Sequence, residues 1–228
     1  MKIGFIGFGK VAKNLTGLID SENITFLTSA QNRSENTIEN MKKSDVKILD
    51  TFKEVAAFSD ILISANSPSQ ALDIAAEYGK YSEGIYMDLN NISPKTTLKI
   101  NEYVDNFVDG AIIGKIDAAN PVLYLSGKNL EKLDFLDDFL EVHKISENPG
   151  DVSKLKLLRS MYTKSLSAVL MESLEIAENL KKYNPEIVVV DPVMISKSGY
   201  SLLRPEAKEN LIKYLIPMAY LVTPNVPE

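Results

Sequence analysis

The sequence predicts an α/β protein built on a doubly wound parallel sheet, followed by a long helix and a short α/β tail. Three observations predict it. The N-terminal stretch KIGFIGFGKVAKNL runs from an apolar segment through a glycine turn into an amphipathic helix. Short apolar runs then alternate with helical patterns at the spacing of parallel strands joined by right-handed crossovers. After Pro149-Gly150, apolar residues recur at helical spacing for far longer than a crossover helix needs.

Composition bounds the chemistry. The chain has 228 residues, 45% of them hydrophobic, which suffices for a sizeable core and permits one domain or two. Its formal net charge of −6 offers no basic footprint for nucleic acid. The absence of cysteine removes disulfides, thiolate metal sites and thiol nucleophiles, and a single histidine, His143, removes any multi-histidine metal site. No apolar run approaches a membrane span, so a cytoplasmic protein without membrane contact is expected.

The first strand is carried by Ile3, Phe5 and Ile6. Gly7 and Gly9 form a turn with no Cβ to obstruct a ligand, and Phe8, Lys10 and Val11 complete the loop into a helix over about Val11 to Asp20. Unpaired backbone N–H groups and the positive end of the helix dipole are placed there to hold a pyrophosphate. Ala12 takes the third glycine position of Gly-x-Gly-x-x-Ala and still lets the helix pack close on the strand. The stretch ITFLT is a second strand. In Rossmann folds an acidic residue near its end binds the 2′-hydroxyl of the NAD ribose, and none stands here. Ser29, Asn32, Arg33 and Ser34 can instead donate to a 2′-phosphate, which favours NADP; read alone, the same segment is also compatible with a solvated loop.

Beyond it, NTIENMKKS reads as a helix turn or two, VKIL as a strand and FKEVAAF as a helix. DILISANSPS is a core strand ending in a turn at Asn66, Ser67 and Pro68, and SQALDIAAEYG is a helix. GIYMDLNNISP gives a strand to Leu89, then Asn90 and Asn91, then a helix opened by Ser93-Pro94, where serine caps and proline suits the first turn. Ligands of such sheets sit beyond the C-terminal strand ends. Gly7, Ser29, Asn66, Ser67 and Asn90 therefore converge on one edge. NFVDGAIIGK and PVLYLSG are further strands, with Gly114, Lys115 and Asp117 in a loop that could face the cleft. DFLDDFL is an acidic amphipathic surface helix, and LEVHKIS a strand in which His143 reads as partly exposed rather than catalytic.

Residues 1–150 are thus expected to form the dinucleotide-binding domain. Asp151 or Ser153 caps a helix of about 28 residues, roughly 42 Å long. Leu155, Leu158, Tyr162, Leu166, Val169, Leu174, Ala177 and Leu180 form its apolar stripe. Residues 151–183 then open a helical dimerisation or substrate domain, and the stripe must be covered by the tail or by a second chain, so a homodimer is expected. Lys156 and Ser160 stand one turn apart on one face and can reach one ligand.

With those residues in place, residues 1 to about 180 resemble the β-hydroxyacid dehydrogenase group, which includes 6-phosphogluconate and 3-hydroxyisobutyrate dehydrogenases. They resemble most its NADP-binding "6-phosphogluconate dehydrogenase-like" proteins. Four motifs match in order: GFIGFGKVA for the pyrophosphate, NRS for the NADP phosphate, VDGAIIGK for the substrate motif Asp-Ala-Pro-Val-Ser-Gly-Gly, and GDVSKLKLLRS for Gly-x-Gly-x-x-x-Lys-x-x-x-Asn. The resemblance implies an NADP-dependent oxidoreductase acting on a small-molecule hydroxyacid or a related carbonyl or imine. It makes Lys156 and Ser160 catalytic and Asp109, Gly114 and Lys115 substrate-binding, and Glu172 supports the register. Read alone, Lys156 is a helix-surface lysine. A buried lysine of lowered pKa can pass a proton to or from an alcohol oxygen during hydride transfer. The chain departs from the pattern at Ile113 for serine, Lys115 for glycine, Val152 for glycine and Ser160 for asparagine. Ile113 cannot bond a carboxylate, which also leaves open an NADP(H)-binding protein without turnover.

From about Asn184 the resemblance changes. Asp191-Pro-Val-Met, Ser198-Gly199, Leu202-Leu203 and Thr223-Pro-Asn225-x-Pro-Glu228 resemble the middle of a hydroxymethylpyrimidine phosphate kinase, a ribokinase-like fold, read as a strand, a hairpin, a helix and a strand over residues 184–228. In that family the ATP-binding glycine loop and the catalytic base lie further on. The chain therefore reads as two joined pieces, from a gene fusion, a shifted reading frame or a chimera. A kinase-related role in thiamine synthesis is the least favoured reading.

Overall fold

A computed structural model describes residues 1–114, 116–117, 121–183, 185–192, 203 and 205–224. Their contacts form two compact units, residues 1–161 and 162–228, which are described separately.

The first unit holds an eight-stranded sheet: β1 (Lys2–Ile6), β2 (Thr25–Ser29), β3 (Lys47–Leu49), β4 (Ile61–Ser64), β5 (Ile85–Asp88), β6 (Phe107–Ile113), β7 (Val122–Gly127) and β8 (Glu141–Ser146), in the order β3-β2-β1-β4-β5-β6-β7-β8. The chain reverses its direction of travel across the sheet after β3, so β1 and β4 flank the point where strand ends leave a crevice. Alternation along the strands divides the core in two. Ile3 and Phe5 join one layer with Ala12 and Leu15, while Ile6 and Leu62 join the other with Phe52, Val55 and Ile74. Helices cover both faces, as the doubly wound expectation requires.

One pair departs from a wholly parallel sheet: β7 runs antiparallel to β6, from Val108 opposite Gly127 to Ile113 opposite Val122. Few residues separate Ile113 from Val122, and a parallel return needs a crossover of a dozen or more. A hairpin was the only connection the spacing allowed.

The crossover elements are α1 (Lys10–Leu18), α2 (Glu35–Lys42), α3 (Phe52–Phe58), α4 (Ala71–Tyr78) and α5 (Pro94–Ile100). Their starts follow local chemistry. Thr51 and Glu54 form a reciprocal capping box on α3, Ser34 accepts from Thr37 N–H to cap α2, and Ser93 caps α5 ahead of Pro94. The segment expected as an acidic α-helix is instead a 3-10 helix, Leu130–Asp138. Leu130, Leu133 and Leu136 recur every third residue, so a three-residue turn aligns all three in the core.

The long helix α6 (Asp151–Tyr183) is 33 residues, longer than the sequence stripe suggested. Its first turns belong to the first unit. The second unit contains the rest of α6, then β9 (Val189–Val190), α7 (Pro205–Asn210) with the turns that continue it to Met218, and β10 (Leu221–Val222), which pairs parallel with β9. Ser198, Gly199, Leu202 and Asn225 of the kinase-like motif, and the expected hairpin, lie outside the described residues. Among the described residues no helix is long and apolar enough to cross a membrane.

Candidate functional site

Beyond the C-terminal ends of β1, β4 and β5 lies a cavity of about 540 Å³, entirely within the first unit. The turn after β1 forms its floor, with Gly7, Phe8, Gly9, Lys10 and Val11 all on its wall. Gly7 has φ +95°, and a Cβ on it would stand 2.4 Å from the Ala65 carbonyl oxygen. Only glycine fits there. A Cβ on Gly9 would meet nothing within 4 Å. Gly9 is also the N-cap of α1 and supplies no side-chain bond, so the first N–H groups of α1 have no side-chain cap.

Arg33 reaches the cavity from the loop after β2. Its guanidinium stacks over the Phe52 ring at 4.6 Å, its Nε is buried without a hydrogen-bond partner among the described residues, and burial lowers its pKa. Thr37, on the first turn of α2, lines the cavity beside it. The neighbouring residues do other work. Ser29 is fully buried and donates to the Asp50 carbonyl at 3.2 Å, Ser34 is occupied as the α2 cap, and Asn32, at φ 53°, is exposed and off the cavity wall. Of the four expected phosphate donors, the cavity receives Arg33.

Asn66, Ser67 and Pro68 after β4 and Asn90 after β5 also line the cavity. Asn66 Oδ1 is buried and has no partner among the described residues. Lys156 enters from α6, half-buried, and burial lowers its pKa against the opposing pull of Asp109 and Asp88. Ser160, one turn along, is off the wall.

Asp109 is off the cavity wall. Expected to bind substrate, it is 3% exposed, and both its carboxylate oxygens are taken: Oδ2 accepts from Gly150 N–H at 3.1 Å and Ser153 N–H at 2.8 Å, and Oδ1 accepts from Ser153 Oγ at 2.8 Å. It holds the N-terminus of α6, where a negative charge meets the positive end of the dipole, and so places Lys156. Gly114 lines the cavity; Lys115 lies outside the described residues. The sequence reading missed Thr37, Gln70, Asn91, Ile112 and Ile116 on the wall. Asn91 was legible as the neighbour of Asn90, whereas Ile112 and Ile116 carry no signal apart from core residues.

An uncapped helix start beside an open glycine, with a half-buried arginine whose Nε has no hydrogen-bond partner among the described residues, fits a phosphate-bearing dinucleotide.

Comparison with known proteins agrees. Over 183 residues the chain is 45% identical to the uncharacterized 28.5 kDa protein in the 7S RNA 5′ region of Methanothermus fervidus, covering 79% of this chain and 72% of that one. The chain belongs to the family of that protein. A solved structure of a conserved protein of unknown function, described as similar to 3-hydroxyacid dehydrogenases, shares 36% identity at a TM-score of 0.73 and covers 79% of this chain and 71% of its own. Residues 2–91 of this family member match the family described as NADP oxidoreductase, coenzyme F420-dependent. In fold alone it is similar to 3-hydroxyisobutyrate dehydrogenase of Mycobacterium tuberculosis, with 14% identity and a TM-score of 0.66 over 79% of this chain and 66% of that one. An imine reductase of Myxococcus stipitatus in complex with NADP+ is similar in the same way, with 20% identity and a TM-score of 0.60 over 81% and 69%. The first unit therefore shares its fold with these oxidoreductases. Residues 169–228 match the phosphomethylpyrimidine kinase family. Over 54 residues the chain is 52% identical to the Bacillus subtilis hydroxymethylpyrimidine/phosphomethylpyrimidine kinase, 24% of this chain but only 20% of that enzyme.

Proposed function

We propose that the first unit is an NADP-dependent oxidoreductase of the β-hydroxyacid dehydrogenase type, exchanging hydride with a small hydroxyacid or a related carbonyl or imine. The observation that carries the reading is that one cavity gathers the glycine turn, Arg33 and Lys156 from separate stretches of sequence. The α1 N-terminus would hold the pyrophosphate, and Arg33 the 2′-phosphate. A bound nicotinamide supplies or accepts the hydride. Lys156 gives a proton to the substrate oxygen or nitrogen on reduction and takes it back on oxidation, which burial makes easier by lowering its pKa. Ile112 and Ile116 give the substrate end an apolar wall. The reading carries a cytoplasmic location with it, and no activity is proposed for the kinase-like tail.

A panel of short 3-hydroxy and 3-oxo acids and cyclic imines, followed by NADPH absorbance, tests turnover. Activity on any of them is expected. NADPH binding with no turnover on the whole panel would favour the second reading, a binding protein, for which Ile113 in place of the family's serine is the supporting observation.

The stripe of α6 supports a homodimer. Leu158, Tyr162, Val169 and Leu174 are each more than half exposed, at 66%, 58%, 59% and 66%. Light scattering at increasing concentration is expected to approach twice the chain mass of 25.3 kDa. A constant monomer mass contradicts it.

A further inference from the structure

At the strand ends on and behind the cavity wall, Asp88, Asn90, Ser64 and Asn66 are joined by hydrogen bonds, the link from Asn90 to Asn66 running through the Asn66 backbone N–H. Asp88, the last residue of β5, is 1% exposed and is not on the wall. Its Oδ1 accepts from Asn90 N–H at 2.9 Å and its Oδ2 from Asn90 Nδ2 at 2.7 Å. Asn90 Nδ2 also donates to Ser64 Oγ at 2.9 Å. Both amide hydrogens are then committed, so Asn90 Oδ1 faces the other way and accepts from Asn66 N–H at 2.6 Å. Asn66 Nδ2 donates in turn to the Ile6 carbonyl at 2.6 Å, which leaves Asn66 Oδ1 without a partner among the described residues. A Cβ on Gly7 would stand 2.5 Å from that oxygen.

An ionised carboxylate can only accept. Asp88 thereby holds Asn90 in this setting, because an Asn90 turned the other way would set its carbonyl oxygen against the carboxylate; the Asn66 amide is turned by the Ile6 carbonyl, which can only accept. We propose that Asp88 is a positioning residue that orients the Asn90 carboxamide and, through the bond from Asn66 N–H to Asn90 Oδ1, holds the turn of residues 66–68 in place on the cofactor cavity beside the glycine turn. This rests on the cofactor reading above.

The charged and titratable groups facing Asp88 are Tyr86 on its own strand, Asp109 on β6 and Lys156 on α6; β4 contributes only Ser64. Burial pushes the Asp88 carboxyl up to about 6, against the bonds from Asn90 and Ser64. Protonation turns one oxygen into a donor and releases Asn90, so cofactor binding weakens as pH falls through about 6. Stability moves the other way. Between the ordinary value of 3.8 and about 6 the folded state holds a proton that the unfolded state has released, so the stability contributed by this group rises as pH falls through that window. A merely structural role would not separate the two.

Calorimetric titration of the whole chain with NADP+, from neutral pH to about pH 5 and paired with thermal melts, tests this in wild type and Asp88→Asn. The 2′-phosphate of the probe titrates near pH 6 in both proteins, so only the difference between their profiles is read. At neutral pH, Asp88→Asn is expected to bind about tenfold more weakly, the worth of one hydrogen bond. The gap should close as wild type becomes protonated, while the wild-type melting temperature rises relative to the variant. Asn90→Ala should show the same flattened profile, and Asp88→Asn added to it should change nothing further; this second variant decides the matter if Asp88→Asn does not fold. Wild-type affinity in Asp88→Asn, or additive losses in the double variant, overturns the inference alone. No binding of NADP+ by wild type at any pH overturns the cofactor reading and this inference with it.

Discussion

Lys156→Ala is expected to lower turnover by about 10²- to 10⁴-fold, the usual worth of a positioned proton donor, and to leave NADPH affinity within about twofold of wild type. The side chain enters the cavity from α6, whereas the glycine turn and Arg33 come from β1 and the loop after β2, so the two functions are structurally separable. Single-turnover kinetics and a binding titration on the same preparation check both halves. Unaltered turnover removes Lys156 from the chemistry. The pH dependence has a definite sign. Reduction of a carbonyl needs the ammonium form, so its rate should fall as pH rises through the lowered pKa of Lys156, and oxidation in the reverse direction should rise over the same range.

Gly7→Ala and Gly9→Ala should separate fold from binding. At Gly7 an added Cβ meets backbone, the Ala65 carbonyl oxygen at 2.4 Å, in a conformation that already disfavours any other residue. Strain and collision together should destabilise the first unit by roughly 2–4 kcal/mol and abolish NADPH binding. At Gly9 the same methyl meets nothing within 4 Å and the backbone is extended, so the fold should be unharmed. The methyl would instead occupy the approach to the α1 N-terminus, and NADPH affinity should fall by about tenfold or more. Chemical denaturation and titration of both variants check this. Equal stability loss at both positions would show that the turn is not shaped around a ligand.

What was legible in the sequence was legible locally. The glycine turn, the Ser93-Pro94 start of α5 and the strand-helix alternation each declare themselves within a few residues, and the order of the sheet follows from them by topology. Lys156 needed a family motif, since a lysine on an amphipathic helix looks the same whether it faces water or a cleft. The rest depended on pairings between distant residues. Asp109 reads as a substrate ligand in a short motif, and its role at the start of α6 appears only when Gly150 and Ser153, more than forty positions away, are brought to it. Ser29 and Ser34 carry the right chemistry for phosphate, but a buried strand end and a helix cap take their hydroxyls. The antiparallel turn of β7 and the three-residue period of Leu130, Leu133 and Leu136 were both present in the spacing; apolar content alone does not reveal either.

The proposed dinucleotide site is expected to distinguish NADP from NAD through Arg33. Because the chain has no tryptophan, the fluorescence of bound NADPH and NADH can be followed without interference. Titration of wild type is expected to show NADPH binding about ten- to a hundredfold more tightly than NADH, as one or two charge-assisted hydrogen bonds of roughly 1.5–3 kcal/mol would give. Arg33→Ala should bring NADPH to the level of NADH and leave NADH unchanged. Equal affinity for the two in wild type, or no binding of either, would contradict a 2′-phosphate site at Arg33.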